Sequence, residues 1–399
     1  MAQAIFIVRA PSCSNLLACR MSSPKRPRTE ARESTADDIV ILSYDDLQAG
    51  KDLTADIRKA YGPGGLGILF VRGVPGVEEA REALLPLSRR LARLPEEILS
   101  KYEHDPPVIG WSRGKELFKG KPDTAKGSFY ANPIFDDVTD GNEDIVKACN
   151  QTLPNVWPTE IPGFEQAFKK MGSIVYEVSK PIVKQVDGLV TESSNGAVPG
   201  KLYQRTFPES KMIVARLLHY YAISAADDLD DWCGWHNDNS TITGLVPAMW
   251  LDEDTGARVP APKGVGLFVE SRDGEQVHVN APPGCLGFQI GEAAQVLSGG
   301  IVHATPHMVK GYVSPIGGAK LSRETLAVFI EPNFDGILEP PEGADYDAIF
   351  EGRKDSARIP ALRDRLKAVP TKFGEFLQNS FELYYNMNNL AEGSGVPSI

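Results

Sequence analysis

The sequence predicts a mixed α/β (α+β) protein, helical through its first half and built on short strands in its second, with a sandwich or jelly-roll barrel as the core. Three observations carry this. Residues 78–103 set Leu84, Leu85, Leu87, Leu91 and Leu94 on one helical face, and a second helical stretch runs over about 163–187. From Lys211 onward the texture changes to short apolar runs separated by Gly and Pro. Residues 266–270 and 276–279 flank an Asp273-Gly274 turn, a strong hairpin signal.

Taken in order, ordered sequence is expected to begin near Ile39 with a strand over 39–42, then a helix over 53–61. Gly62-Pro63-Gly64-Gly65-Leu66-Gly67 fits G-x-G-x-x-G, but a dinucleotide fingerprint needs a strand before it and a helix after it. Here the order is reversed, so the segment reads as a helix stop and turn leading into the apolar run 67–71. Further strands are expected at 212–221, 244–251, 285–290 and 325–330, and a last helix at 373–386. The resulting division is 1–37 as a disordered or targeting segment, 38–205 as a helical N-terminal region, 206–345 as a jelly-roll domain and 346–399 as a C-terminal helical tail.

Of the 399 residues, 42% are hydrophobic and 24% charged, as in an ordinary soluble globular protein. A net charge of -11 argues against a nucleic-acid partner, which would need a concentrated basic surface. No apolar run approaches the length that crosses a bilayer, so no membrane partner is expected and the chain is expected to be a monomer. The cysteines, Cys13, Cys19, Cys149, Cys233 and Cys285, are odd in number and scattered, which argues against a disulfide framework or a structural zinc site. The first 29 residues lack any acid but include Arg9, Arg20, Lys25, Arg26 and Arg28. A transit peptide, a start at Met21 and a disordered tail all fit that composition. A cytoplasmic location is expected, with an organelle as the alternative.

The chemistry-bearing residues are few. Among six histidines, only His236 is followed two places later by a carboxylate, Asp238. On a strand, residues i and i+2 share a face, so imidazole and carboxylate can converge on one ion. A second cluster, His303-Ala304-Thr305-Pro306-His307, follows some 70 residues on. Two histidines and a carboxylate on a rigid sheet leave coordination positions open, which suits iron(II) chemistry with dioxygen, though zinc hydrolases use similar ligands.

Several segments together resemble the isopenicillin N synthase-like, plant-type 2-oxoglutarate and iron(II)-dependent dioxygenases. The run Gly67-Ile68-Leu69-Phe70-Val71-Arg72-Gly73-Val74 is similar to an early family segment, and Trp235 to Leu245 is similar to its H-T-D-x-x-x-x-T-x-L element. Gly287 to Gly300 looks like the run that precedes the third ligand. The resemblance covers about residues 38–385. It implies a double-stranded β-helix (jelly-roll) core, Fe(II), 2-oxoglutarate as co-substrate, dioxygen, and oxidation of a small-molecule substrate, by default hydroxylation. Family spacing selects His307 over His303 as the third metal ligand beside His236 and Asp238, leaving His303 as an outer or packing residue. Arg323-Glu324-Thr325 occupies the place of an R-x-S element, which implies that Arg323 and Thr325 hold the oxoglutarate carboxylate. His219-Tyr220-Tyr221-Ala222 is similar to an N-Y-Y-P segment, which implies Tyr221 as a third oxoglutarate contact. Residues 252–264 and 311–320 read as insertions able to reshape a pocket mouth, and Trp111, Phe129 and Tyr130 as pocket aromatics. An oxoglutarate-independent oxidase and a non-catalytic binding protein on the same fold are the alternatives.

Overall fold

Strict alternation along five neighbouring strands organises the molecule. The computed structural model describes residues 31–104, 107–115, 117–118, 121–139, 153–196, 198–224, 231–351, 356 and 358–394. The basic leader before residue 31, and with it Cys13 and Cys19, lies outside the described residues, as does Cys149. In the strand Leu321–Ile330, Leu326, Val328 and Ile330 are fully buried against the main core, while Arg323, Thr325, Ala327 and Phe329 line a cavity. Its partners Ile213–Tyr220 and Ile242–Leu245 split the same way, as do Leu286–Ile290 and Ile68–Arg72. Because side chains alternate with a period of two, a single sheet can pack helices on one face and wall a cavity with the other.

The larger sheet has ten strands. Its main run passes from Val40–Ser43 through Ile68–Arg72, Leu286–Ile290, Ile242–Leu245, Leu321–Ile330, Ile213–Tyr220 and Lys126–Ala131 to Gly110–Arg113. A five-stranded sheet supplies the other wall: Arg32–Glu33, Gln276–His278, Gly266–Glu270, His307–Lys310 and Asp231–His236. Residues of both line one cavity, as in a double-stranded β-helix.

The helix Phe164–Ser193 covers the core face of the larger sheet. Phe164, Phe168, Met171, Val175, Val178, Ile182, Val186 and Val190 recur every three or four residues and are all buried. A Cβ on Gly244 would meet the Val175 side chain at 2.1 Å, so that strand needs glycine for the helix to seat. Fully burying each such Phe, Ile or Val contributes roughly 1.5–3 kcal/mol. The helix Val77–Ala92 packs beside it through Leu84, Leu85 and Leu91, which come from the predicted apolar face.

Most expected elements are present, with differences that have physical causes. The expected strand 244–251 is two strands, Ile242–Leu245 and Met249–Asp252, because Pro247 has no N–H to donate to a ladder. Order begins before residue 38: Arg32–Glu33 pairs in parallel with Gln276–His278. The helix Thr54–Tyr61 does end at Gly62 and runs into the strand Ile68–Arg72, so the glycine-rich segment is a turn. Residues from Ala31 onward form one compact unit. The helical N-terminal region and the strand region therefore share a core, and the segment expected as a tail is packed into it through Leu362, Leu366, Phe373 and Phe376. Among the described residues no helix is long and apolar enough to cross a membrane.

Candidate metal centre

The strand Asp231–His236 lies antiparallel to His307–Lys310, and His236 is directly opposite His307. Cross-strand neighbours bring their side chains together whatever their separation in sequence. The two rings are 4.2 Å apart between centroids. Asp238 sits just past the end of its strand, so the i, i+2 strand argument is not what turns its carboxylate inward. The turn does so instead, anchored where the Glu292 N–H donates to the Asp238 carbonyl at 2.8 Å. Asp238 Oδ1 lies 3.7 Å from His236 Nε2 and 3.6 Å from His307 Nε2. One ligand atom from each of the three residues falls within 4.8 Å of the others, a group able to hold a metal ion.

Backbone carbonyls set both tautomers. His236 Nδ1 lies 2.8 Å from the Gly234 carbonyl and His307 Nδ1 lies 3.1 Å from that of Thr305. A carbonyl can only accept, so each Nδ1 carries a proton and, in the neutral ring, Nε2 is the nitrogen left to ligate. The two rings differ in basicity. Burial depresses His307 to about 4, and the neighbouring His236 adds to that effect. Burial acts against a charge on His236 as well, but Cys233, with Sγ 3.8 Å from Nδ1, and Asp238 outweigh it and push the ring up to about 9. Asp238 Oδ2 is buried with no protein partner among the described residues.

The cavity holding this group has a volume of about 840 Å³. Arg323 lines it, with its guanidinium carbon 5.2 Å from the Tyr220 ring centre and its buried Nη1 lacking a protein partner among the described residues. Burial lowers the basicity of this guanidinium. A buried guanidinium N–H without an acceptor is costly, and a bound carboxylate would supply one. Thr325 shares the face, but its hydroxyl donates to the Val246 carbonyl at 2.7 Å, so its proton is already committed.

Tyr221 does not join them. Its hydroxyl donates to the Ala92 carbonyl at 3.2 Å, Arg113 covers its ring at 3.9 Å, and it packs against the helix side of the sheet. Tyr220 faces the cavity instead, opposite Arg323 in register. Strand parity held that signal, since Tyr220 is even-numbered with the cavity-facing Arg216 and Leu218. His303 precedes the strand that carries His307, and its N–H donates to the Tyr61 carbonyl, so its backbone is tied to a helix end away from the three ligands. Trp111 and Phe129 are core residues, Phe129 stacking edge-on with Phe164 at 4.9 Å, and neither they nor Tyr130 lines the cavity. Of the two expected insertions, residues 261–264 line the cavity, and Arg258 ties that loop to Glu82 on the helix Val77–Ala92. Residues 311–320 do not line it.

Sequence reasoning missed a support beneath the ligands. Asn237, between His236 and Asp238, donates its side-chain amide to Glu292 at 2.8 Å, and its N–H reaches the Tyr384 hydroxyl at 3.2 Å. Glu292 in turn is gripped bidentately by Arg365, both fully buried.

No family model matches the chain. It is 26% identical over 281 residues to homoarginine-6-hydroxylase 2-ODD-C23.1 of Arabidopsis thaliana, covering 69% of this chain and 75% of that protein. It is 23% identical over 312 residues to 2-oxoglutarate-dependent dioxygenase frbJ of Dothideomycetidae sp. (strain 11243), covering 76% and 73%. The fold is similar to that of a 2OG-Fe(II) oxygenase family protein from Caulobacter crescentus, at a TM-score of 0.61 and 21% identity, covering 87% of this chain and 99% of that one.

Proposed function

We propose that the chain is a 2-oxoglutarate- and Fe(II)-dependent dioxygenase of the isopenicillin N synthase-like superfamily, with His236, Asp238 and His307 as its iron ligands and Arg323 as its oxoglutarate anchor, a reading supported by its likeness to two such enzymes and to the fold of a third. The reaction is oxidation, by default hydroxylation, of a small organic molecule. One observation carries the assignment: a convergent His-Asp-His group and an arginine with a buried nitrogen that lacks a protein partner among the described residues share one cavity.

The donor set fits the metal. Two neutral imidazoles and a carboxylate with a free buried oxygen suit iron(II) and leave positions for co-substrate and dioxygen. Iron held there would activate dioxygen, the oxidant, with one oxygen atom going to the substrate and the other to succinate as oxoglutarate loses carbon dioxide. The chain's own residues supply the rest. Gly234 and Thr305 hold the imidazoles in the ligating tautomer. Arg323 receives the distal carboxylate of oxoglutarate, Tyr220 backs that guanidinium, and Thr325 shapes the wall beside it. Leu218, Leu245, Trp250, Val309 and Phe329 keep the reacting space apolar and exclude water.

The test is succinate release from oxoglutarate with iron binding measured in parallel. His236→Ala, Asp238→Ala and His307→Ala should each lose iron and turnover, whereas His303→Ala should retain both. Arg323→Met should keep iron and raise the KM for oxoglutarate at least about tenfold, the scale of a charge-assisted bidentate contact. Full turnover in His307→Ala with none in His303→Ala would overturn the ligand assignment.

A further inference from the structure

Three buried polar atoms lining the cavity have no protein partner among the described residues: Asp238 Oδ2, Arg323 Nη1 and Gln289 Oε1. The proposed iron and oxoglutarate account for the first two. They cannot account for the third. Oxoglutarate at neutral pH carries two carboxylates and a ketone, all acceptors, and the Gln289 oxygen needs a donor.

Gln289 lies mid-strand in Leu286–Ile290, in register with Ile68 on one side and Thr243 on the other. Its neighbours Phe288 and Ile290 turn to the core, which directs Gln289 into the cavity at 2% exposure. Thr243 does not answer it: its hydroxyl pairs with that of Ser240 at 2.9 Å, and Gln289 Oε1 is left without a partner among the described residues. The surroundings are otherwise apolar, with Ile68 and Phe70 on one neighbouring strand and Leu245 on the other. A carbonyl buried among such groups stands at a cost that a bound donor removes, and native structures seldom keep such a group without use.

We propose that Gln289 is the substrate-selecting residue, its amide carbonyl accepting a hydrogen bond from an N–H or O–H of a substrate whose remaining body is apolar. The inference rests on the dioxygenase reading of the cavity. A site built to hydrogen-bond a polar hydrogen rejects the analogue lacking it far more strongly than an apolar wall rejects a methylene, because the amide is then left unanswered.

The experiment uses full-length protein loaded anaerobically with Fe(II) and oxoglutarate, and two probes that differ by one donor, 2-naphthol and 2-methoxynaphthalene. Loading is measured first, by dialysis, in wild type and Gln289→Met, and should be equal in both. A wild type that fails to load would sink the dioxygenase reading, and this inference with it. In loaded wild type, 2-naphthol should bind about tenfold more tightly than its methyl ether; in Gln289→Met the two should bind within about twofold. Gln289→Leu gives the same reading should the methionine variant not fold. Loaded wild type that binds both probes alike or neither, or a preference that survives in the variants, overturns the proposal.

Discussion

At the scale of single residues, the two histidines of the candidate centre are chemically unequal although both use Nε2. His307 is held near 4 by burial and is neutral at any ordinary pH. His236, raised to about 9 by Cys233 and Asp238 against the effect of burial, carries a proton at neutral pH in the metal-free protein. A metal needs the neutral ring, so binding must expel that proton. Cys233→Ser removes the largest influence that raises the ring, so Co(II) binding should persist to lower pH in that variant than in wild type; superimposable pH profiles would contradict it. Arg323 Nη1 and Gln289 Oε1 illustrate the same principle from the other side, since each is a buried polar atom with no protein partner among the described residues.

At the scale of elements, the ligand-bearing turn is held from behind. Arg365 belongs to the short helix Leu362–Leu366, yet through Glu292 and Asn237 it reaches the residue between two proposed ligands. Tyr384, on the last helix, reaches the same turn from another direction. Breaking a buried pair from one side leaves a charge unanswered, so Arg365→Met should cost about 3–5 kcal/mol in a urea titration. The double change Arg365→Met with Glu292→Gln should recover part of that loss, because no buried charge then remains. A single variant as stable as wild type would show that the pair does not support the turn. The segment expected to be a helical tail is thus part of the foundation of the candidate metal centre.

At the scale of the whole molecule, one buried carboxyl links folding to pH. Glu331 follows the strand Leu321–Ile330, and burial, helped by Asp238, raises it from an ordinary 4.5 to about 8. The sign follows from proton counting. Between about pH 4.5 and 8 the folded protein holds a proton on Glu331 that the unfolded chain has released, so this group's contribution falls as pH rises through that window. Glu331→Gln, which carries no ionisable group, should lose less thermal stability than wild type between pH 5 and 8. Parallel melting curves in the two proteins across that range would refute the assignment. The same architecture explains why one cavity can serve the whole chain: two sheets with opposite neighbours contribute alternate residues to a single space.

The sequence by itself determined a great deal. Helical spacing in 77–92 and 164–193, the Asp-Gly hairpin and the reversed order around Gly62 follow from local periodicity and turn chemistry, which act over a few residues and leave a local trace. The His236-x-Asp238 pair was legible as a short local pattern, and the Arg323-x-Thr325 pair through its resemblance to a family element. Tertiary structure alone decided what faces what. Family spacing pointed to His307 rather than His303, but it is cross-strand register that puts His307 opposite His236. Parity against Arg323 turned Tyr220 into the cavity and Tyr221 out of it. Thr325 commits its hydroxyl proton to a carbonyl 79 residues away in sequence, and Arg365 finds Glu292 across 73. Contacts of that range depend on strand pairing and on which groups burial leaves unanswered, and neither is written in any local stretch of residues.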